Sequence, residues 1–234
     1  MQKQIVLILS LLFVIVSSLT SCLEAEPSET VDQDRIFTNY EVFYNANEDI
    51  TTAHATFHFG TGITGTPLEL SEGSEVSFNG DVLVKHTEPL TNLLMYKREY
   101  AGLVNEGTFV WTDLDGNVFE NTISFKSIDY PADLTTISRD SSFEMFWQGD
   151  SLGYNEDVIM VMNGDSEFDA QTFTQTATGS TSIILAKNKL ENMPAGEGDM
   201  WLDRRFLPTI SESPNAGGRI LGRYRPDNLT VTLE

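Results

Sequence analysis

The stretch Thr52-Ala53-His54-Ala55-Thr56-Phe57-His58-Phe59 alternates apolar and polar residues without a break. Side chains on an extended backbone point to opposite faces in turn. The spacing therefore predicts a strand with Ala53, Ala55, Phe57 and Phe59 facing a core. Thr52, His54, Thr56 and His58 are expected on the solvent face. In the segment before it, Ile36, Tyr40, Val42 and Tyr44 share one parity.

The same period of two recurs down the chain. Phe143, Met145 and Trp147 alternate with Ser142, Glu144 and Gln148, and Thr181, Ile183 and Leu185 continue the pattern. Met200, Leu202 and Arg204 oppose Trp201, Asp203 and Arg205, and Leu229, Val231 and Leu233 form a terminal strand. Turn signals separate these runs at Asn79-Gly80, Asp115-Gly116, Gln148-Gly149-Asp150, Asn163-Gly164-Asp165 and Gly217-Gly218. No long segment keeps a period of 3.6. The one short helical candidate is Lys189 to Met193, stopped by Pro194. Short strands with frequent turns predict an all-β chain of antiparallel sandwiches.

The hairpin around Asp115-Gly116 can be assigned a register. A two-residue loop would place Trp111 opposite Glu120. A three-residue loop with Gly116 in the left-handed conformation places Trp111 opposite Phe119, aromatic against aromatic on one face, and is preferred. Tyr130-Pro131 breaks strand pairing after Phe125, which sets a boundary near Ile128. Two sandwiches are expected, residues 35–127 and 128–234, each about the size of an immunoglobulin-like domain.

Charge and cysteine content narrow the functional classes. Fourteen Lys and Arg stand against 35 Asp and Glu, a formal net charge of −21. That balance argues against nucleic acid as a partner, whose phosphates require bases. The sole cysteine, Cys22, leaves no intramolecular disulfide, so burial must stabilise the fold.

The N-terminus has the form of an export signal. Lys3 precedes an apolar run from Ile5 to Val16 broken only by Ser10. Such a run suits a secretory signal, whereas a spanning helix needs about 20 residues. Leu19-Thr20-Ser21-Cys22 follows directly and resembles the bacterial lipobox. The resemblance implies that residues 1–21 are removed and that the Cys22 thiol carries a diacylglyceryl group, with palmitate-type chains as the membrane partner. Two or more chains anchor stably where one does not. Residues 22–34 are rich in acids, with Glu24, Glu26 and Glu29 near the cysteine. Composition predicts a disordered tether there, spanning roughly 20 Å root-mean-square.

The stretch GSTSIILAKNKLENMPAGEGDMWLDRRF, residues 179–206, looks like the second half of an immunoglobulin-like domain: a strand, a short Leu-containing turn, Pro-Ala-Gly and another strand. With the lipobox and the acidic segment, the chain resembles two-domain lipoproteins of Bacteroidota. The resemblance implies two tandem immunoglobulin-like β-sandwiches behind a lipoprotein signal peptide and acidic tether, held at the cell envelope on the outer membrane. Acidic residues just after the cysteine resemble a surface-export cue. No activity comes with the resemblance.

Several residues are candidates for a site. Arg204, Arg205, Arg219, Arg223 and Arg225 concentrate five bases in the last strands. Guanidinium binds carboxylate or phosphate through two parallel hydrogen bonds, so an anionic glycan or an acidic envelope protein are candidate partners. The competing reading is internal pairing with Glu197, Asp199 and Asp203. Alternation separates Arg204 from Arg205, so all five cannot converge. Trp201, Tyr224 and Tyr154 could stack on sugar rings, or be buried. Asp113, Asp115 and Asn117 resemble a fragment of a calcium loop, but Asp and Gly are also what a turn needs. His54 and His58, about 13 Å apart along a strand, cannot share a metal ion. No nucleophile elbow, phosphate loop or zinc-protease motif is present, and no cofactor is implied. The expected role is non-catalytic, structural or binding. The alternatives are surface glycan binding and an enzyme whose site lies between the domains.

Overall fold

The computed structural model describes residues 25–164 and 169–234. Cys22 and the signal segment lie outside the described residues. The first half contains β1 (Glu26–Pro27), β2 (Ile36–Asn45), β3 (Ile50–Phe59), β4 (Thr66–Glu69), β5 (Glu75–Phe78), β6 (Asp81–Val82), β7 (Val84–Thr87), β8 (Leu94–Ala101), β9 (Glu106–Thr112) and β10 (Val118–Ser124). The second contains β11 (Thr136–Ile137), β12 (Phe143–Phe146), β13 (Glu156–Asn163), β14 (Gln171–Gln175), β15 (Ser182–Leu185), helix α1 (Lys187–Leu190), β16 (Gly196–Phe206), β17 (Gly218–Arg225) and β18 (Leu229–Leu233). The fold is all-β, and most pairings are antiparallel.

One sheet runs through both halves. Its path is β1-β4-β3-β2-β17-β16-β13-β14, with β8 and β7 beside β3 and β18 and β11 beside β16. The β10-β9-β5-β6 sheet covers the first half and the β12-β15 pair covers the second. In the second half β11, β18, β16, β13 and β14 face β12 and β15. Strands two and five of the seven make the small sheet, an immunoglobulin-like Greek-key arrangement.

Period-two patterning builds the first core. Ala53, Ala55 and Phe57 are buried, as are Ile36, Tyr40 and Val42. Aromatic rings interlock between the sheets: Tyr40 stacks on Phe109 at 4.7 Å, and Phe57 meets Trp111 at 5.0 Å. Buried Trp111 donates its Nε1–H to Ser74 Oγ at 2.9 Å. The β9–β10 hairpin has the expected register, with Phe119 opposite Trp111, their rings stacked at 5.2 Å, and Gly116 at φ +82°. The second core is richer in methionine, with Met145, Met160, Met162 and Met200 fully buried.

The buried clusters change over between Phe125 and Ile128, with one departure from a contiguous second unit. Strand β17 returns to the first half. It pairs in parallel with β2 over its whole length and places Ile220 in the first core. The crossing segment is held by Asn121, whose Oδ1 accepts from the Ser211 and Glu212 amides and whose Nδ2 donates to the Glu212 carbonyl.

Three sequence expectations are corrected. Residues 26–34, read as a disordered tether, are ordered against the first sandwich. β1 pairs with β4, buried Ser28 accepts the Ser71 amide at 2.9 Å, and Gln33 donates to the Ser28 carbonyl while accepting the Leu114 amide. The acids that suggested disorder point outward, and two neutral side chains make the contacts. His54 and His58 are not exposed. His58 is buried between Thr56 Oγ1 at 3.1 Å and the Gly65 carbonyl at 3.4 Å. The 60–65 turn folds over the face that alternation assigned to solvent. The helix begins two residues before its expected start, at Lys187, and a turn carries the chain on to Met193.

Gly107 lies directly beneath the Phe78 ring, where a Cβ would overlap the ring carbons. Phe78 is itself fully buried and has no room to move. Gly107→Ala is expected to destabilise the fold by about 1–3 kcal/mol through overpacking. Urea unfolding measures this as a lower midpoint, and an unchanged midpoint would refute the packing described.

Candidate functional site

The arginine-rich end is placed by the alternation of β16 and β17. On β17, Ile220, Gly222 and Tyr224 face inward, leaving Arg219, Leu221, Arg223 and Arg225 on the outer face. On β16, Met200, Leu202 and Arg204 face the second core, and Trp201, Asp203 and Arg205 face out. Gly222 sits close against Phe125, where a Cβ would stand 3.0 Å from the side chain. The register sets Arg205 directly opposite Arg223, and Arg223 beside Phe43 of β2.

Arg204 is 2% exposed, and both of its terminal nitrogens are engaged. It donates to the Asp150 carbonyl at 2.9 Å, the Ser151 carbonyl at 3.0 Å and Glu156 Oε2 at 2.5 Å. Glu156 Oε2 also accepts the Gly153 amide at 2.6 Å. The pair pins the 150–156 loop to the sheet.

The outer-face arginines form a ladder with carboxylates. Arg225 grips Asp203 through two bonds of 2.6 and 2.7 Å, and Arg205 grips Asp157 through two of 2.7 and 2.8 Å. Arg223 lies 3.0 Å from Glu41 and 3.8 Å from Asp203, with its guanidinium 3.8 Å above the Phe43 ring. His54 stands 3.5 Å from Glu41 at the end of the row. Hydrogen bonds donated to Asp157 and Asp203 raise the pKa values of Arg205 and Arg225, while burial lowers that of His54 against the pull of Glu41. Three guanidiniums face three carboxylates, with the His54 ring at the end of the row. Like charges placed opposite each other repel, and the interleaved carboxylates cancel that repulsion.

This arrangement joins strands rather than presenting a free cationic site. Of the three expected acidic partners, Asp203 pairs with arginine, whereas Asp199 accepts from Thr230 Oγ1 at 2.7 Å. The partners not foreseen are Glu41, Glu156 and Asp157. For Glu156 a signal existed: it shares parity with Val158, Met160 and Met162, as Arg204 does with Met200 and Leu202. Two opposite charges at core positions call for each other. Arg219 is half-buried and makes no ion pair among the described residues.

The aromatic candidates do not converge. Trp201 is half-buried on the outer face beside Val161, while Tyr224 packs inward against both cores, 5.2 Å from Tyr44. Tyr154, at 81% exposed, stands apart on the 151–155 loop. At the calcium-like turn, Asp113 Oδ1 accepts the Asn117 amide at 2.8 Å and Oδ2 accepts Asn117 Nδ2 at 2.9 Å. Those carboxylate oxygens close the hairpin, and Asp115 lies exposed at its tip.

No family profile matches the chain, and no curated protein matches it. Among solved structures, the Yersinia pseudotuberculosis adhesin InvE is 13% identical, with a TM-score of 0.23, over 87% of this chain and 60% of the adhesin. A tandem repeat from the extending region of a large adhesion protein is 10% identical, with a TM-score of 0.26, over 84% of this chain and 49% of that one. A Bacteroides ovatus protein, SGBP-B of a mixed-linkage glucan utilization locus, was solved with a mixed-linkage heptasaccharide. It is 9% identical, with a TM-score of 0.27, over 90% of this chain and 65% of that one. The chain spans less than two thirds of each of these proteins. The fold assignment rests on the strand pairings above.

The two kinds of arginine are expected to respond differently to truncation. Arg204→Ala leaves Glu156 buried without its partner and should cost about 3–5 kcal/mol. Arg205→Ala removes a partly exposed pair and should cost roughly 1 kcal/mol or less. Denaturant midpoints of the two variants decide this, and equal losses would contradict the assigned burial.

Proposed function

We propose that this chain is a lipid-anchored protein of the bacterial cell envelope, carried on the outer membrane by acyl chains on Cys22, with a non-catalytic role as a spacer or binding module. The observation that carries the reading is Leu19-Thr20-Ser21-Cys22, placed directly behind an apolar run of signal length. Folded structure begins almost at once after it. Ala25 already lines the first sandwich, and β1 pairs with β4. Such a protein stands on the bilayer rather than hanging from a long leash.

The non-catalytic part of the reading draws on the site chemistry. Four of the five arginines that would recognise an anion, Arg204, Arg205, Arg223 and Arg225, are held by Glu41, Asp157, Asp203 and Glu156. The one thiol is consumed by lipid. The acidic chain repels its own kind and anionic headgroups, which suits a domain held off its neighbours.

Radiolabelled palmitate tests the anchor. The wild-type chain should take up label and fractionate with membranes. Cys22→Ala should take up none and appear in the soluble fraction. A wild-type protein without label, or a Cys22→Ala protein that stays on membranes, overturns the reading.

A further inference from the structure

The strand pairings fix which end of the molecule meets the anchor. β1 runs parallel to β4, with Glu26 beside Leu68 and Pro27 beside Glu69. The chain leading to Ala25 therefore arrives from the Thr66 side, where β4 begins next to Phe59 at the end of β3. The 60–65 turn lies at this end. The β7–β8 hairpin points the same way: β8 leaves its turn at Leu94 and runs antiparallel to β3, with Tyr96 beside Ala55 and Ala101 beside Ile50. A groove of about 470 Å³ lined by Ala25, Pro67, Leu93 and Leu94 joins the hairpin turn to the start of the described chain. The second sandwich lies at the opposite end of β2, where Arg225 pairs with Asn45 and β16 continues beyond β17.

The anchor end carries exposed apolar side chains. Leu90 is 96% exposed, Ile63 47% and Leu93 40%. The 88–93 turn that presents Leu90 is closed by two backbone bonds, Asn92 N–H to the Glu88 carbonyl at 2.8 Å and Glu88 N–H to the Leu93 carbonyl at 3.0 Å. Nearby, Lys85 pairs with Glu69 at 2.5 Å, and His86 Nε2 lies within hydrogen-bond distance of Glu88 Oε1 at 3.1 Å. A surface with apolar tips and no net cationic field fits the boundary between headgroups and acyl chains rather than an anionic surface.

We propose that the 88–93 turn, led by Leu90, inserts into the bilayer surface beside the acylated Cys22 and orients the second sandwich away from the membrane. This inference rests on the lipid anchor proposed above. Three peptide steps separate Cys22 from Ala25 and reach at most about 11 Å, so the turn is held within contact distance. One leucine buries too little area to hold a free protein on a bilayer. Linked to an anchor, it binds as a second, intramolecular contact at high effective concentration.

A single-thiol label tests this on the full, lipidated chain reconstituted in phosphatidylethanolamine–phosphatidylcholine vesicles, which carry no net charge. Acylation consumes the Cys22 thiol, so Leu90→Cys supplies the one site for an environment-sensitive fluorophore. Glu197→Cys, exposed at the start of β16, supplies a reference in the second sandwich. Nitroxide-bearing lipids should quench the label at position 90 several-fold more than the label at position 197. Equal quenching at the two positions, in protein that carries palmitate, overturns the insertion and leaves the anchor standing. Protein without palmitate overturns both.

Discussion

Strand β17 is hydrogen-bonded to β2 on one side and to β16 on the other, and the two sandwiches share a sheet because of it. The parallel pairing with β2 runs from Gly218 beside Thr38 to Arg225 beside Asn45. It satisfies backbone groups that would otherwise line an open edge of β2 and invite another chain. It also drives Ile220 into the first core and sets Tyr224 where both cores meet. One sheet thus runs through both halves of the chain. The last quarter of the chain belongs to both bodies.

That shared strand explains the arginines. Bringing β17 between β2 and β16 aligns Arg223 opposite Arg205 and Arg225 beside Asp203. Guanidiniums so close together are tolerable only with carboxylates between them, and Glu41, Asp157 and Asp203 come from three different strands. Phe43 supplies a flat face under Arg223 that shields it from water on one side. The ladder is therefore a seam across the junction. At Arg205 and Arg225 an anionic ligand would have to displace a carboxylate already held through two hydrogen bonds at 2.6–2.8 Å.

Local features were legible in the sequence, and distant ones were not. Alternation placed Ala53, Ala55 and Phe57 inside, and turn chemistry gave the Trp111–Phe119 register, because both depend on neighbours a few residues away. Alternation also put Arg204 on the Met200 and Leu202 side of β16, where it is buried. The return of β17 to β2 was invisible, since a parallel pairing across some 180 residues leaves no periodic mark. Composition misread residues 26–34 for a related reason. Their order comes from Ser28 meeting Ser71 and Gln33 meeting Leu114, and a high acid content says nothing of such distant partners. The burial of His58 belongs with these, because the 60–65 turn that covers it is a tertiary feature.

Calorimetric unfolding tests the shared strand most directly. If β17 couples the sandwiches, melting either one strips a partner from the other. The described residues should then unfold in one transition, with the calorimetric enthalpy equal to the van't Hoff enthalpy. Two separate transitions, each accounting for about half the enthalpy, would contradict a molecule built around a common strand.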